Sequence, residues 1–202
     1  MELIERDVMA YDVAIVGGGP AGLACAIRLK SLKPDLSICL LEKGSEFGAH
    51  ALSGAVMQPD ALDELVPDWR DDPPTICVPA SRDEFLLLTR TGRRRLPTPP
   101  QMSNHGNFIV SLGSLVGKLA ARAENAGVDV FPGFPAAEAL IENGRVIGVR
   151  CGDMGVDADG SPGAAFAPGV DIHAGVTVLA EGCRGSVSKQ LIQTFGLDAD
   201  AS

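Results

Sequence analysis

The feature that most constrains this chain lies near its start. Residues 11–16 read Tyr-Asp-Val-Ala-Ile-Val, a short apolar run of the kind that forms a buried strand. Gly17-Gly18-Gly19-Pro20-Ala21-Gly22 overlaps its end with residues 21–32, which are rich in Ala and Leu and carry Leu23, Ala26 and Ile27 at helical spacing until Pro34 stops the helix. Residues 36–41 form a second apolar run that ends on Glu42. A strand, a glycine turn, a helix and a strand within about thirty residues make a βαβ unit, which builds a parallel sheet with a right-handed crossover. The glycine hexapeptide fits G-x-G-x-x-G, a weak signal in isolation. Its place between strand and helix, with a carboxylate twenty residues beyond Gly22, is the context in which that pattern binds a dinucleotide.

Each position then has a physical task. Gly17 permits the tight turn, Gly19 lets the backbone approach a pyrophosphate, and Gly22 lets helix and strand pack closely. Ala21 opens the helix, whose unpaired N–H groups and positive dipole end face the phosphates. Glu42 accepts hydrogen bonds from a ribose hydroxyl and repels a 2′-phosphate, which argues against NADP. A domain for NAD continues in further βα units, whereas here Glu42 leads into a Gly- and Ala-rich stretch. Residues 137–141 and 145–150 alternate around Glu142-Asn143-Gly144 as a hairpin. A later strand over 176–180 ends in Ala180-Glu181-Gly182, where backbone comes close to a cofactor. This order predicts an α/β fold: a Rossmann-like FAD-binding domain with a β-meander crossover and an inserted, partial α+β region.

Elsewhere the sequence predicts an irregular stretch over 43–57, a short helix over 59–65, and a hairpin of 84–89 with 93–96. An extended Pro-rich loop covers 97–100, and 107–112 is strand or helix entry. Leu112, Leu115, Val116, Leu119, Ala120 and Ala123 define a helix over 112–125, closed by Gly127 and followed by a strand over 128–131. Residues 152–167 read as a loose turn, 171–174 and 176–180 as separate strands, and 186–195 as a helix.

Composition excludes several classes. At 202 residues, 46% hydrophobic and 21% charged, the chain is a folded protein of about one to one and a half domains. Seventeen basic against 26 acidic residues give a net charge of -9, which repels a phosphate backbone and argues for no nucleic acid partner. Cys25, Cys39, Cys77, Cys151 and Cys183 include no CxxC pair, so neither a zinc site nor a disulfide framework is indicated, and no metal ligands are assigned. Free thiols fit a reducing compartment. Residues 1–7 are charged without an apolar run behind them, and no stretch approaches the roughly 20 apolar residues of a membrane span. Asp153, Asp157 and Asp159-Gly160 are similar to a calcium loop, but Gly155 and Phe166 stand at its first and twelfth ligand positions, so a solvated turn is expected.

Six segments carry a narrower resemblance. They are Tyr11-Asp-Val-Ala-Ile-Val-Gly-Gly-Gly-Pro-Ala-Gly-Leu, Leu41-Glu-Lys-Gly-Ser-Glu-Phe-Gly-Ala-His-Ala-Leu-Ser-Gly-Ala-Val, Pro67-Asp-Trp, Asn104-His-Gly-Asn-Phe-Ile-Val, Val130-Phe-Pro-Gly-Phe and Ala180-Glu-Gly-Cys-Arg-Gly. The first is shared by many flavoproteins, whereas Gly-Ala-His-x-Leu-Ser-Gly and Asn-His-Gly-Asn are much narrower. From about Tyr11 onward the chain resembles the N-terminal portion of the electron transfer flavoprotein–ubiquinone oxidoreductases, also called electron-transferring-flavoprotein dehydrogenases. The resemblance implies FAD, a [4Fe-4S] cluster, membrane association, and transfer of electrons from reduced electron transfer flavoprotein to ubiquinone in the respiratory chain. It places FAD contacts on Gly17, Gly19, Ala21, Gly22, Glu42, Lys43, Ala49, His50, Ser53, Gly54, Ala180, Glu181 and Gly182, with the 48–54 loop near the isoalloxazine. It implies no catalytic acid or base for the electron transfers. His50 then either tunes the flavin or satisfies backbone carbonyls, His105 orders the loop at Gly106, and His173 lies at the surface.

Three regions follow: 1–58 as the first part of the FAD-binding domain, 59–115 as a partial quinone and membrane-facing region, and 116–202 as the continued and truncated FAD-binding domain. Arg93-Arg94-Arg95 lies within the membrane-facing stretch of about 85–102, where it either meets anionic headgroups or forms a solvated hairpin edge. The family's cluster ligands are four cysteines in its C-terminal part, and none of the five here has ligand-like spacing. The late Gly-Asp segment that completes the pyrophosphate site is also missing. The expectation is a truncated chain that binds FAD weakly and reduces no quinone alone. Its charged start lacks the look of a transit peptide, which favours the cytoplasmic face of a bacterial inner membrane. The alternatives are a geranylgeranyl reductase-like or aromatic-ring monooxygenase-like flavoprotein, and a non-catalytic remnant that binds nucleotide or nothing.

Overall fold

A computed structural model describes residues 5–157 and 161–199, so Asp159 and Gly160 of the calcium-loop reading and residues 1–4 of the charged start lie outside the described residues. In chain order the elements are β1 (Val8–Val16), α1 (Pro20–Leu32), β2 (Ile38–Glu42), β3 (Ser53–Met57), α2 (Asp60–Leu65), β4 (Cys77–Pro79), β5 (Phe85–Leu88), β6 (Arg93–Leu96), β7 (Phe108–Ser111), α3 (Leu112–Asn125), β8 (Asp129–Pro132), β9 (Ala136–Glu142), β10 (Arg145–Cys151), β11 (Met154–Val156), β12 (Pro162–Ala167), β13 (Asp171–Leu179) and α4 (Ser186–Phe195). The chain divides into one unit of Met1–His50 with Val116–Ser202, and another of Ala51–Leu115.

The first unit is built on a six-stranded sheet of order β8-β2-β1-β13-β10-β9. β1 runs parallel to β2 and β13, and β2 runs parallel to β8. β10 turns back antiparallel to β13, and β9 antiparallel to β10. The apolar runs read from sequence become these central strands because Val13–Val16 and Ile38–Leu41 are buried throughout, as strands covered on both faces must be. One face carries Ala14, Val16, Cys39, Leu41, Val149 and Ile172, with Val187 of α4 fully buried among them. The meander crossover is present, and β13 is the later strand that returns beside β1.

Three local readings are corrected. Residues 152–167 are not only a turn: β11 and β12 pair antiparallel within them, with Met154 opposite Ala167. The two strands expected at 171–174 and 176–180 are one, β13, which runs parallel to β1 on both sides of Gly175. Ser53–Met57, expected to be irregular, is β3. The hairpin at Asn143-Gly144 does form, and both residues take the positive φ (50° and 76°) that a tight two-residue turn requires.

In the second unit β3, β7 and β4 form an antiparallel sheet, and β5 and β6 form a separate hairpin. Phe108 of β7 meets Trp69 edge to face at 5.4 Å, and the Arg70 guanidinium lies 4.4 Å from the centre of the Trp69 ring. The Trp69 indole donates to Asp63 at 2.6 Å, and Arg70 also pairs with Asp63. The Pro-rich stretch is extended only as far as Pro99, since Pro100–Met102 is a turn of 3-10 helix. Among the described residues no helix is long and apolar enough to cross a membrane.

Candidate functional site: a glycine cradle at the carboxyl ends of the parallel strands

The carboxyl ends of β1, β2, β8 and β13 meet at one edge of the first unit's sheet, which is where open α/β sheets bind their ligands. The glycines there have separate causes. Gly17 has φ +110°, and a Cβ on it would lie 2.4 Å from the Ala180 carbonyl oxygen. A Cβ on Gly22 would lie 2.1 Å from the Gly17 carbonyl oxygen. One on Gly18 would meet the Phe47 ring at 2.5 Å and the Glu42 Cβ at 2.9 Å. Packing within the protein therefore accounts for these three.

Gly19 is different. Its φ of -78° suits any residue, and among the described residues a Cβ built on it has nothing within 4 Å. Nothing among the described residues requires glycine at this position, as a ligand lying against the backbone would. Gly19 is also the N-cap of α1, with no side-chain cap, no acidic residue in the first turn and Pro20 at the first helical position. Among the described residues the amides of Gly19, Ala21 and Gly22 make no hydrogen bond. Unpaired amides at a helix's positive end, beside open space, form a cradle for an anion such as a pyrophosphate.

Glu42 turns toward this bend. One carboxylate oxygen accepts from the Gly18 amide at 2.9 Å and the other from the Gly44 amide at 2.7 Å. It thereby fixes the glycine turn to the end of β2, and each oxygen keeps lone-pair capacity for a ribose hydroxyl. Residues 133 and 134 join the same corner. The Gly133 amide donates to the Gly44 carbonyl at 2.7 Å, and the Phe134 amide to the Glu42 carbonyl at 2.9 Å. Phe134 stacks obliquely on Phe131, with ring centres 5.6 Å apart. The Val130-Phe-Pro-Gly-Phe segment carries part of the family resemblance, but its pattern alone does not place it in the site. The strand end just before Pro132 was the available signal.

Ala180 reaches the cradle through its backbone, its amide donating to the Val16 carbonyl at 2.7 Å. Gly182 is exposed with φ +72°. The side chain of Glu181, a residue expected at the cofactor, is engaged at the start of α4, where its carboxylate accepts from the amides of Ser186, Val187 and Ser188. Burial works against the charged form of Glu181, but these bonds and the Ser188 hydroxyl outweigh it and hold the carboxyl below its usual range. Lys43, Ala49 and His50 are exposed on the loop after β2. Ser53 and Gly54 open β3 in the second unit, where Gly54 has φ +76°.

The buried thiols have no sign of reactivity. Burial pushes Cys39 up to about 12 and Cys151 to about 11. Among the described residues no three His, Cys, Asp or Glu side chains are grouped to hold a metal ion.

Comparison with known proteins agrees with this geometry. A family described as NAD(P)-binding Rossmann-like domain matches residues 15–69. The mitochondrial electron transfer flavoprotein–ubiquinone oxidoreductase of Oryza sativa is 50% identical over 95% of this chain and 34% of its own length. The probable counterpart in Acinetobacter baylyi is 47% identical over 100% of this chain and 37% of its own. The chain thus spans about a third of the length of the curated relatives it matches. Among solved structures, a geranylgeranyl bacteriochlorophyll reductase-like protein from Thermoplasma acidophilum superposes with a TM-score of 0.62 at 24% identity, covering 87% of this chain and 40% of its own. The flavin-dependent monooxygenase PieE, solved with FAD and substrate, does so with a TM-score of 0.63 at 16% identity, covering 93% and 32%. These two establish the fold alone. Along nearly its whole length, the chain is similar to the N-terminal portion of electron transfer flavoprotein–ubiquinone oxidoreductases, which bears out the resemblance carried by its motifs.

Proposed function

We propose that this chain supplies the dinucleotide-binding portion of an FAD-dependent enzyme that passes electrons from reduced electron transfer flavoprotein to ubiquinone. The observation that carries the flavin reading is Gly19, where among the described residues a Cβ would meet nothing, at a helix start whose amides are unpaired. Similarity to relatives named for that reaction supports the choice of donor and acceptor. Gly17, Gly19, Ala21 and Gly22 form the pyrophosphate cradle, Glu42 holds the ribose, and Ala180 and Gly182 close the cradle with backbone. Lys43, Ala49 and His50 are proposed for the flavin-ring side. A flavin supplies one- and two-electron chemistry, so the protein's task is to bind it, orient it and set its surroundings.

The [4Fe-4S] cluster that the resemblance implies finds no ligand-like spacing among the five cysteines, so we assign quinone reduction to a chain of the relatives' length and not to these residues alone. Purified chain titrated with FAD should show saturable binding and no reduction of a quinone analogue. Absence of any saturable FAD binding sinks the flavin reading, and turnover of the quinone analogue by the chain alone sinks the division of labour. NADPH should leave the bound flavin oxidised, whereas direct bleaching by NADPH favours a reductase or monooxygenase.

Peripheral membrane contact is proposed for the β5–β6 hairpin. Leu87 and Leu88 are 51% and 72% exposed and stand opposite Arg94 and Arg93. Apolar side chains beside cations suit an anionic bilayer surface, at about 1 kcal/mol per arginine near the headgroups. Replacing Arg93, Arg94 and Arg95 by Glu should abolish binding to anionic vesicles, and undiminished binding rejects this contact.

A further inference from the structure

Glu181 stands beside the cradle yet gives it no side-chain contact, and its bonds run in the other direction. α4 begins after Gly185, which has no side chain to cap it. Glu181 reaches from five residues upstream and accepts from the amides of Ser186 at 3.0 Å, Val187 at 3.2 Å and Ser188 at 2.7 Å, and from the Ser188 hydroxyl at 2.7 Å. One carboxylate thus satisfies three of the amides that a helix start leaves unpaired, and it neutralises the helix's positive end. Room for it depends on Gly185, because a Cβ there would lie 2.6 Å from a Glu181 carboxylate oxygen.

The other side of the same short turn is fixed to the cradle. The Ala180 amide is bonded to Val16, and the Ala180 carbonyl occupies the space a Gly17 side chain would need. Val187, in the first turn of α4, is fully buried against the sheet, so α4 is itself anchored. The turn from Ala180 to Gly185 is therefore held at both ends, by a strand on one side and by the Glu181 cap on the other. We infer that Glu181 is a positioning residue: by tying α4 to this turn it holds Ala180 against Gly17 and keeps the cradle in the shape that accepts the dinucleotide. The inference rests on the flavin reading for its ligand, although its structural half stands apart from it. It also means that α1, and not α4, supplies the helix end for an anion.

The test compares Glu181→Ala, Glu181→Gln and a core control in the second unit, Leu62→Ala, by FAD titration well below the melting temperature and by amide hydrogen exchange. Glu181→Ala should weaken FAD binding about tenfold and speed exchange at the bonded amides of Gly17 and Ala180. Glu181→Gln, which keeps one acceptor oxygen, should fall between it and the native chain. Leu62→Ala should melt earlier yet bind FAD as the native chain does. Faster exchange confined to residues 186–188, with FAD affinity unchanged, overturns the inference and leaves a helix cap only. If Glu181→Ala fails to fold, Glu181→Gln and Ser188→Ala carry the same comparison with the same expected direction. A native chain that binds no FAD sinks the flavin reading, and exchange at Gly17 and Ala180 then still decides the positioning role.

Discussion

At the scale of the residue, the fingerprint glycines divide by cause. Gly22→Ala forces a methyl to within 2.1 Å of the Gly17 carbonyl oxygen, which should cost about 1–3 kcal/mol of stability in overpacking. Gly19→Ala meets open space at an ordinary φ, so its melting temperature should match the native chain while FAD affinity falls at least tenfold. Thermal melts and flavin titration on the two variants check both halves, and a Gly19→Ala chain that binds FAD normally removes the cradle from that position. Glu42→Ala should cost about 1–2 kcal/mol, because two backbone amides lose their acceptor. These positions were legible because a turn between strand and helix permits few geometries. The direction of the Glu181 side chain was not legible. Sequence places that residue beside the cofactor turn, but only the fold reveals that a helix start lies closer to its carboxylate.

At the scale of the element, periodicity served the helices best. α3 begins and ends where its apolar spacing predicts, and α4 fills the 186–195 stretch read as a helix. The hairpin of β9 and β10 was legible from Asn143-Gly144, whose positive φ values rule out a β-branched residue. Asn143→Val should therefore cost about 1–3 kcal/mol in strain while Asn143→Gly is nearly neutral, as denaturant melts should report. The short strands escaped. β4 is three residues long and ends in proline, and β11 and β12 are rich in Gly and Ala, so neither alternates visibly between apolar and polar. Their existence depends on a partner strand, with β4 pairing to β7 some thirty residues away, and local pattern carries no trace of that.

At the scale of the whole molecule, acid is the sharpest probe. The Arg6 guanidinium and the Gly169 amide hold Asp153 down to about 2, against an ordinary 3.8. Asp171 is lowered by its paired bonds from Arg150, and Glu181 by its cap despite burial. A carboxyl whose folded value lies below its unfolded one stabilises the fold above the unfolded value and loses that contribution as pH falls through the folded one. Melting temperature should therefore drop most steeply between about pH 4 and pH 2. Asp153→Asn should be less stable than the native chain at pH 7 and should close part of that gap by pH 2. A gap that stays constant across the window refutes the assignment. The unequal demands on the glycines also leave a mark on ancestry. In a lineage that kept its sheet and abandoned its nucleotide, selection would still guard positions 17 and 22, while position 19 drifted freely toward alanine or serine. Gene sequences of such descendants would record the loss of the ligand at that one codon before anything else in the molecule had changed.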